Sequence, residues 1–515
     1  MRIQDRQILL IAPEIINLRA MPCVGLGYIG SYLVRQGIRV RTIDAQFTKQ
    51  DPVAALRRSE PTLVGIAAES RTYPRALRIA RVAKAHGHTT LLGGLHVSLV
   101  KKQVMANPEV DYAIVGDGEI AMHQLLQALD GERAFAEVSG LLYRDPEGEV
   151  RENPNTTEIL DLDTLPVPDY RLAGVGKMNL YPVVTSRDCP FKCNYCTVGT
   201  LSHGRYRARA PAAIVEEILL AKERYGIRSL IVVDENFAYR VDRAMEFCEL
   251  LIEKKVGLPW TAFEGIRADC LNDELLTALK ASDCRWLFFG IETVENAVLK
   301  EVRKGGKFHH VERAIALARK YGFKVGGFLI IGLPGSTFEK DMQSLHWAMA
   351  HLDKCTFWTV IPYQGTAMYD WVLRHGRLLR EPIGANLINT LSTMPFFETD
   401  DYPAGERKRA HAIANLRIGA HLFLETMDGE TARKLPRRKR TAAHHRRRLV
   451  EMAVRYDPSL LGQLVGNRSF PPVADPVEDA LRAQRSDEPS LLTGDLMGSL
   501  GTPIDRPPNP EEHKV

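Results

Sequence analysis

Three cysteines fall within eight residues, in the run Cys189-Pro190-Phe191-Lys192-Cys193-Asn194-Tyr195-Cys196. Thiolates this close can grip one soft-metal centre, either zinc or an iron–sulfur cluster. A structural zinc takes four protein ligands, and no fourth Cys or His stands nearby at finger-like spacing. A [4Fe–4S] cluster held by only three cysteines leaves one iron open to a small molecule. Cys189, Cys193 and Cys196 are therefore the metal candidates; a zinc knot, or three cysteines packed in a core, are the alternatives. The loop follows Leu180-Tyr181-Pro182-Val183-Val184-Thr185, an apolar run that reads as a buried strand.

The same strand opens a β–α alternation over the middle of the chain. Strands are expected at Tyr181–Thr185, Ser229–Val233, Trp260–Phe263, Trp286–Phe289, Val325–Ile331 and Cys355–Ile361. Helical stretches such as Ala212–Arg224, Arg243–Lys255 and Asp273–Ala281 separate them. Six such units fit an incomplete (β/α)6 barrel, whose chemistry would sit at the C-terminal ends of the strands.

The C-x3-C-x2-C triad, with an aromatic before its last Cys, resembles the cluster motif of the radical S-adenosylmethionine (radical SAM) superfamily. There the open iron chelates the amino and carboxylate groups of S-adenosylmethionine (SAM), and the fold is a partial barrel. The resemblance implies SAM-binding roles for several strand-end residues. Tyr195 would lie beside the adenine, and Asp234 and Glu235 would receive the ammonium. Arg267 would fork onto the carboxylate. Glu292 ends the fourth strand, and Gly332 would border the adenine after the fifth. Of the remaining cysteines, Cys248, Cys270 and Cys284 read as buried small hydrophobes, and Cys355 faces either the barrel or the core.

The first 150 residues also alternate. Short apolar runs at Ile8–Ala12, Val40–Ile43, Leu63–Ala67, Thr90–Leu92 and Tyr112–Val115 are separated by helix-like stretches such as Gly30–Gln36 and Arg75–Ala85. This is the pattern of an α/β, doubly wound parallel sheet, which binds ligands outside the carboxyl ends of its strands. The loops there are Pro13–Gly30, Glu69–Tyr73, Gly93-Gly94-Leu95-His96 and Gly116-Asp117-Gly118-Glu119. Their order resembles the cobalamin-binding domain that precedes many radical SAM domains. It implies cobalamin contacts from Gly27, Gly93, Gly94, His96, Gly116, Gly118 and Glu119. The D-x-H-x-x-G motif that supplies a cobalt ligand in many cobalamin proteins is absent. His96 is thus either a cofactor contact or a loop His bonded to the backbone, and Cys23 reads as packing.

A hairpin is expected over Gly140–Val150, with Asp-Pro-Glu-Gly as its turn, then an extended, proline-punctuated linker at Leu162–Asp169. The expected domains are a cobalamin-binding sheet at 1–150, a hairpin end and linker at 151–176, and the partial barrel at 177–375. A helical region follows at 376–469, in which Ala410–Glu425 would cover the open side of the barrel, and a disordered tail at 470–515.

The composition, 45% hydrophobic and 25% charged over 515 residues, is that of a globular protein of two or three domains. No apolar run reaches the roughly 18 residues of a membrane span, and the N-terminus is unlike a signal peptide. Clustered rather than paired cysteines fit a reducing cytoplasm. Much of the net charge of +5 comes from the run Arg433–Arg448, which reads as a solvated helix face, with a site for an anionic substrate or RNA as the alternative, and carries no interleaved aromatics. That argues against nucleic acid.

Together the two resemblances imply a cobalamin-dependent radical SAM C-methyltransferase of a small molecule in specialised or lipid metabolism. Its cofactors would be a [4Fe–4S] cluster, SAM and cobalamin, with electrons from an external reductant of flavodoxin or ferredoxin type. A cyclase or rearrangement enzyme of the same family, and a non-catalytic cobalamin or redox sensor, are the alternatives.

Overall fold

The computed structural model describes residues 7–428 apart from 15–20, 157–158, 160 and 385–393, together with residues 5 and 455. The basic run and the segment expected to be a disordered tail lie outside the described residues.

In the first sheet, strands Val40–Asp44, Ile8–Ala12, Leu63–Ala67, Thr89–Gly93 and Tyr112–Ile114 lie side by side in that order, all parallel. Each is a near-continuous apolar run because both faces are covered. Alternate side chains feed two cores. Leu9, Ile11, Val64 and Ile66 pack on one face; Ile8, Leu10, Leu63 and Leu91 pack on the other. The hairpin Leu141–Arg144/Val150–Glu152 extends this sheet antiparallel to seven strands. The strand order reverses between the first and third strands, so the ligand crevice lies at their carboxyl ends.

The second sheet runs Leu180–Val183, Ser229–Val232, Trp260–Ile266, Cys284–Glu292, Lys324–Ile331 and Lys354–Thr359, all parallel, each beside its neighbour in sequence. It does not close, so it is the expected partial barrel. Tyr181, Val183, Leu287, Phe289, Val325, Leu329 and Phe357 face the helices. The intervening positions, among them Trp286, Phe288, Phe328 and Trp358, therefore face the concave side. Cys355 pairs in register with Gly327, on the helix-facing set with Phe357. Of its two readings, core packing is the one the fold adopts.

Two expectations need correction. The stretch Pro13–Gly30 is not one loop, because a helix begins at Val24 and runs to Arg35. The linker Leu162–Asp169 is not extended throughout either, because its first three residues form a short helical turn. Asp161 and Asp169 cap short turns, and Tyr170 stacks into the barrel core against Tyr181 and Tyr225. The helix Ala404–Asp428 lies along the last two barrel strands, where Ala410, Ile413 and Ala414 join the helix-side core. Among the described residues no helix is long and apolar enough to cross a membrane.

Candidate radical SAM site

The cysteine loop is held by its backbone. Cys189 N–H donates to Ser202 Oγ at 3.0 Å and Asn194 N–H to the Val302 carbonyl at 3.1 Å. Met368 N–H donates to the Asn194 carbonyl at 3.0 Å. A side chain at Gly199 would meet the Phe191 carbonyl at 2.8 Å, so the helix Thr197–Ser202 can fold tightly under the loop only with glycine there. Burial pushes the Cys196 thiol up to about 11 and raises Cys189, with Cys193 adding to both shifts and Cys189 to that of Cys196, so the sulfurs share one environment. Metal binding would displace those protons.

Around the loop, the strand-end residues divide into two groups. Glu292 caps the fourth strand with a left-handed φ of 67°, a strained state for glutamate. It is buried, and it accepts from Lys304 Nζ at 2.6 Å and from the Tyr195 hydroxyl. Gly290 leaves room for this pair, since a Cβ there would lie 2.9 Å from the Glu292 carboxylate. Tyr195 packs against the apolar cluster that includes Val302, Leu333 and Val360. Glu235 is exposed beside the loop, where its charge helps to raise the Cys189 thiol. Tyr195, Lys304 and Glu292 thus cluster beside Cys193, and Glu235 beside Cys189.

Asp234, Arg267 and Gly332 do not offer free groups to a ligand. Asp234 is buried and accepts from Thr185 N–H at 2.6 Å, from the Thr185 hydroxyl and from Ser186 Oγ at 2.7 Å, so it pins the end of the first barrel strand. Arg267 lies 3.7 Å over the Phe191 ring and donates to Asp269 and to the carbonyls of Lys304 and Gly305. It braces the cysteine loop from below. Gly332 has both backbone polar groups engaged, its N–H with Asp341 at 2.9 Å and its carbonyl with Arg407 at 2.6 Å. The buried Arg407 guanidinium fills the space where a Cβ would stand.

On the other domain, most of the singled-out glycines serve packing. Gly27 sits inside the helix and touches Tyr170 and Pro168 of the linker; a Cβ would lie 2.8 Å from the Tyr170 ring. The side-chain spaces at Gly94, Gly116 and Gly118 are taken by the Ala68 carbonyl, Asn155 and Ile29. Gly93 alone of these faces open space. His96 is buried, bonded to Ser70 Oγ at 3.0 Å through Nδ1 and packed on Tyr73 at 4.1 Å. Its partner is thus a side chain rather than the backbone. Burial lowers its pKa to about 4, so the imidazole is neutral. Glu119 is not available to a cofactor, because it accepts from Arg187 at 2.6 Å and is buried.

The two sheets meet at their strand ends. A Cβ at Gly365, after the last barrel strand, would lie 2.7 Å from the Leu99 carbonyl of the first domain. Gly384 N–H donates to the Ser70 carbonyl at 2.7 Å. Tyr363 is near enough to Arg71, Glu69 and Cys196 for all three to act on its hydroxyl. Sequence reasoning missed Lys304, Arg187 and Arg207. Only Arg187 carried a signal, two residues before Cys189.

The donor set fits an iron–sulfur cluster. Its three soft thiols share one loop, and cations from Lys304 and Arg267 lie close to Cys193. Among the described residues no group of three His, Cys, Asp or Glu side chains converges as on a single metal ion. A four-iron cluster is larger and needs its thiolates farther apart.

Comparison with known proteins agrees on both halves. Residues 20–126 match the B12 binding domain and residues 183–348 match the Radical SAM superfamily. An uncharacterised methyltransferase of Pyrococcus horikoshii is 28% identical over 370 residues, 70% of this chain and 80% of that relative. The cytidylyl-2-hydroxyethylphosphonate methyltransferase of Streptomyces wedmorensis is 26% identical over 419 residues, 68% and 78% of the two chains. The anaerobic magnesium-protoporphyrin IX monomethyl ester cyclase of Rubrivivax gelatinosus is 28% identical, with 62% and 60% covered. In fold, the chain matches the cobalamin-dependent SAM radical enzyme OxsB with a TM-score of 0.64 at 17% identity, covering 95% of this chain and 76% of that one. It matches the radical SAM methyltransferase TsrM of Kitasatospora setae at 0.61 and 19%, covering 71% and 77%. Both domain families and their order along the chain agree with the site geometry: this protein is a cobalamin-dependent radical SAM enzyme with an N-terminal B12-binding domain, and its cofactors are a [4Fe–4S] cluster, SAM and cobalamin.

Proposed function

We propose that the enzyme transfers a methyl group to an unactivated carbon of a small molecule. The observation that carries this reading is the facing of strand ends, with Gly365 after the last barrel strand set against the Leu99 carbonyl of the B12 domain and Gly384 N–H bonded to the Ser70 carbonyl. Such an arrangement brings two cofactors onto one substrate and orients all three partners. The two relatives covered to 80% and 78% of their length are methyltransferases by name. When bound, the cluster and SAM supply a 5′-deoxyadenosyl radical, and methylcobalamin supplies the methyl group.

The chain's own residues bind and shield. Cys189, Cys193 and Cys196 hold the cluster. Tyr195, Glu292 and Glu235 form the SAM side, with Lys304 holding the Glu292 carboxylate in place. Gly93 and the loop before His96 meet cobalamin. For the substrate, the concave barrel face offers Phe328 and Ile330, with Trp358 43% exposed beside Ile330 in register. A tryptophan this open on an inward strand suits a flat, apolar part of a substrate. The remaining cysteines form no second cluster motif, so electrons come from an external one-electron reductant of flavodoxin or ferredoxin type.

A cyclisation or rearrangement is the second reading, favoured by the likeness to the magnesium-protoporphyrin cyclase. Anaerobic incubation with SAM, methylcobalamin, a reductant and a panel of candidate substrates separates the two by product mass. A product heavier by one methylene, formed with 5′-deoxyadenosine, supports methyl transfer. A product isomeric with its substrate, or lighter by hydrogen, overturns it.

A further inference from the structure

The carboxylates of the Gly116-Asp117-Gly118-Glu119 turn are engaged by arginines of the neighbouring domain. Arg187 donates to Asp117 at 2.9 Å and to Glu119 at 2.6 Å, and its guanidinium lies 5.2 Å from the centre of the Tyr28 ring. Arg207 donates to the second oxygen of Asp117 at 2.6 Å, to Asp188 at 2.5 Å and to the Ile159 carbonyl at 2.9 Å. Arg187 and Arg207 are cross-strand partners in the short ladder Ser186–Arg187/Arg207–Ala208. All five charged side chains are at least three-quarters buried, Glu119 almost completely.

These contacts end at the cysteine loop. Asp188 immediately precedes Cys189 and holds a left-handed φ of 72°. A non-glycine residue keeps that conformation only when its surroundings impose it. Here Arg207 imposes it by gripping the Asp188 carboxylate, and Asp117 fixes Arg207. Arg187 lies two residues before the first thiol, so the charge balance of the turn is also part of the environment of the loop.

We propose that Asp117 and Glu119 are positioning residues for the iron–sulfur loop, through Arg187 and Arg207, and are not cobalamin ligands. The B12-binding domain thereby sets both the entry angle of the cysteine loop and the balance of charge beside it. The inference rests on the reading of Cys189, Cys193 and Cys196 as cluster ligands.

The test uses the full-length reconstituted protein and two measurements, the midpoint potential of the cluster by EPR-monitored titration and the affinity for hydroxocobalamin. Variants are D117N, E119Q and R187Q. Removing an acid leaves net positive charge near the cluster and stabilises its reduced form, so D117N and E119Q should raise the potential. R187Q should lower it. Opposite signs are the discriminating feature, because mere loosening of the interface would move all three the same way. Hydroxocobalamin affinity should stay within about twofold of the parent for D117N and E119Q. Potentials unchanged or all shifted in one direction, or a tenfold loss of hydroxocobalamin affinity in the acid variants, would overturn the proposal. If E119Q does not fold, D117N, whose carboxylate is less buried, carries the acid arm. A parent protein that takes up no four-iron cluster sinks the cysteine reading itself, and this inference with it; a parent cluster with unresponsive variants sinks the inference alone.

Discussion

At the scale of single residues, the site works by restraint of charged side chains more than by their availability. Glu292 is held in a strained conformation by Lys304 and Tyr195, so Lys304→Met should leave a buried carboxylate without its cation. A loss of about 3–5 kcal/mol in unfolding free energy is expected, read by denaturant titration of the apoprotein. Replacing any one of Cys189, Cys193 or Cys196 by Ala should abolish uptake of a stable four-iron cluster, read by iron and sulfide analysis, whereas Cys355→Ala should leave it intact. The thiol triad was legible because its spacing is local. The partners of Arg267 and Asp234 were not legible, because a sequence shows that a polar group stands at a strand end and not which partner engages it. The same holds for Glu119, whose partner lies 68 residues away.

Elements were read well wherever the apolar period was clear. All eleven parallel strands of the two sheets were expected within a few residues of where they lie, because strands covered on both faces are continuous apolar runs. The start of the first helix was missed because Val24-Gly25-Leu26-Gly27 looks like a glycine loop, and its helical state is set by packing against the linker. Gly94 illustrates the reverse case, a glycine required by the backbone. With φ of 109° and the Ala68 carbonyl 2.9 Å from a would-be Cβ, Gly94→Ala should cost at least about 1–3 kcal/mol, seen as a lowered melting temperature. The helix bearing His96 and the one bearing His411 also carry a pH signature. Burial lowers both imidazoles to about 4 from an ordinary value near 6.5. The unfolded chain therefore takes up protons first as the pH falls. Stability should be full above about pH 6.5 and decline toward pH 4, by up to about 3 kcal/mol for each histidine. His96→Gln should remove its share of that decline in denaturant titrations across the range.

For the whole molecule, the point of the architecture is that two independent parallel sheets present their carboxyl ends to one another. This could be expected only from the resemblance to a family, since no local pattern encodes how domains dock. The contacts that fix it are small residues and buried ion pairs. Gly365→Ala, with φ of 82° and a neighbouring carbonyl at 2.7 Å, should loosen the docking without unfolding either sheet. Faster amide hydrogen exchange confined to 94–100 and 360–370 would show it.

The central claim is that three thiolates hold a cluster whose remaining iron takes SAM. It is tested most directly by pulsed EPR of the reduced, reconstituted protein with SAM labelled by 15N in its amino group and 17O in its carboxylate. The account predicts hyperfine coupling of both labels to the cluster in the parent protein. A full four-iron cluster that shows neither coupling, or purified protein carrying zinc at the three cysteines, would contradict it.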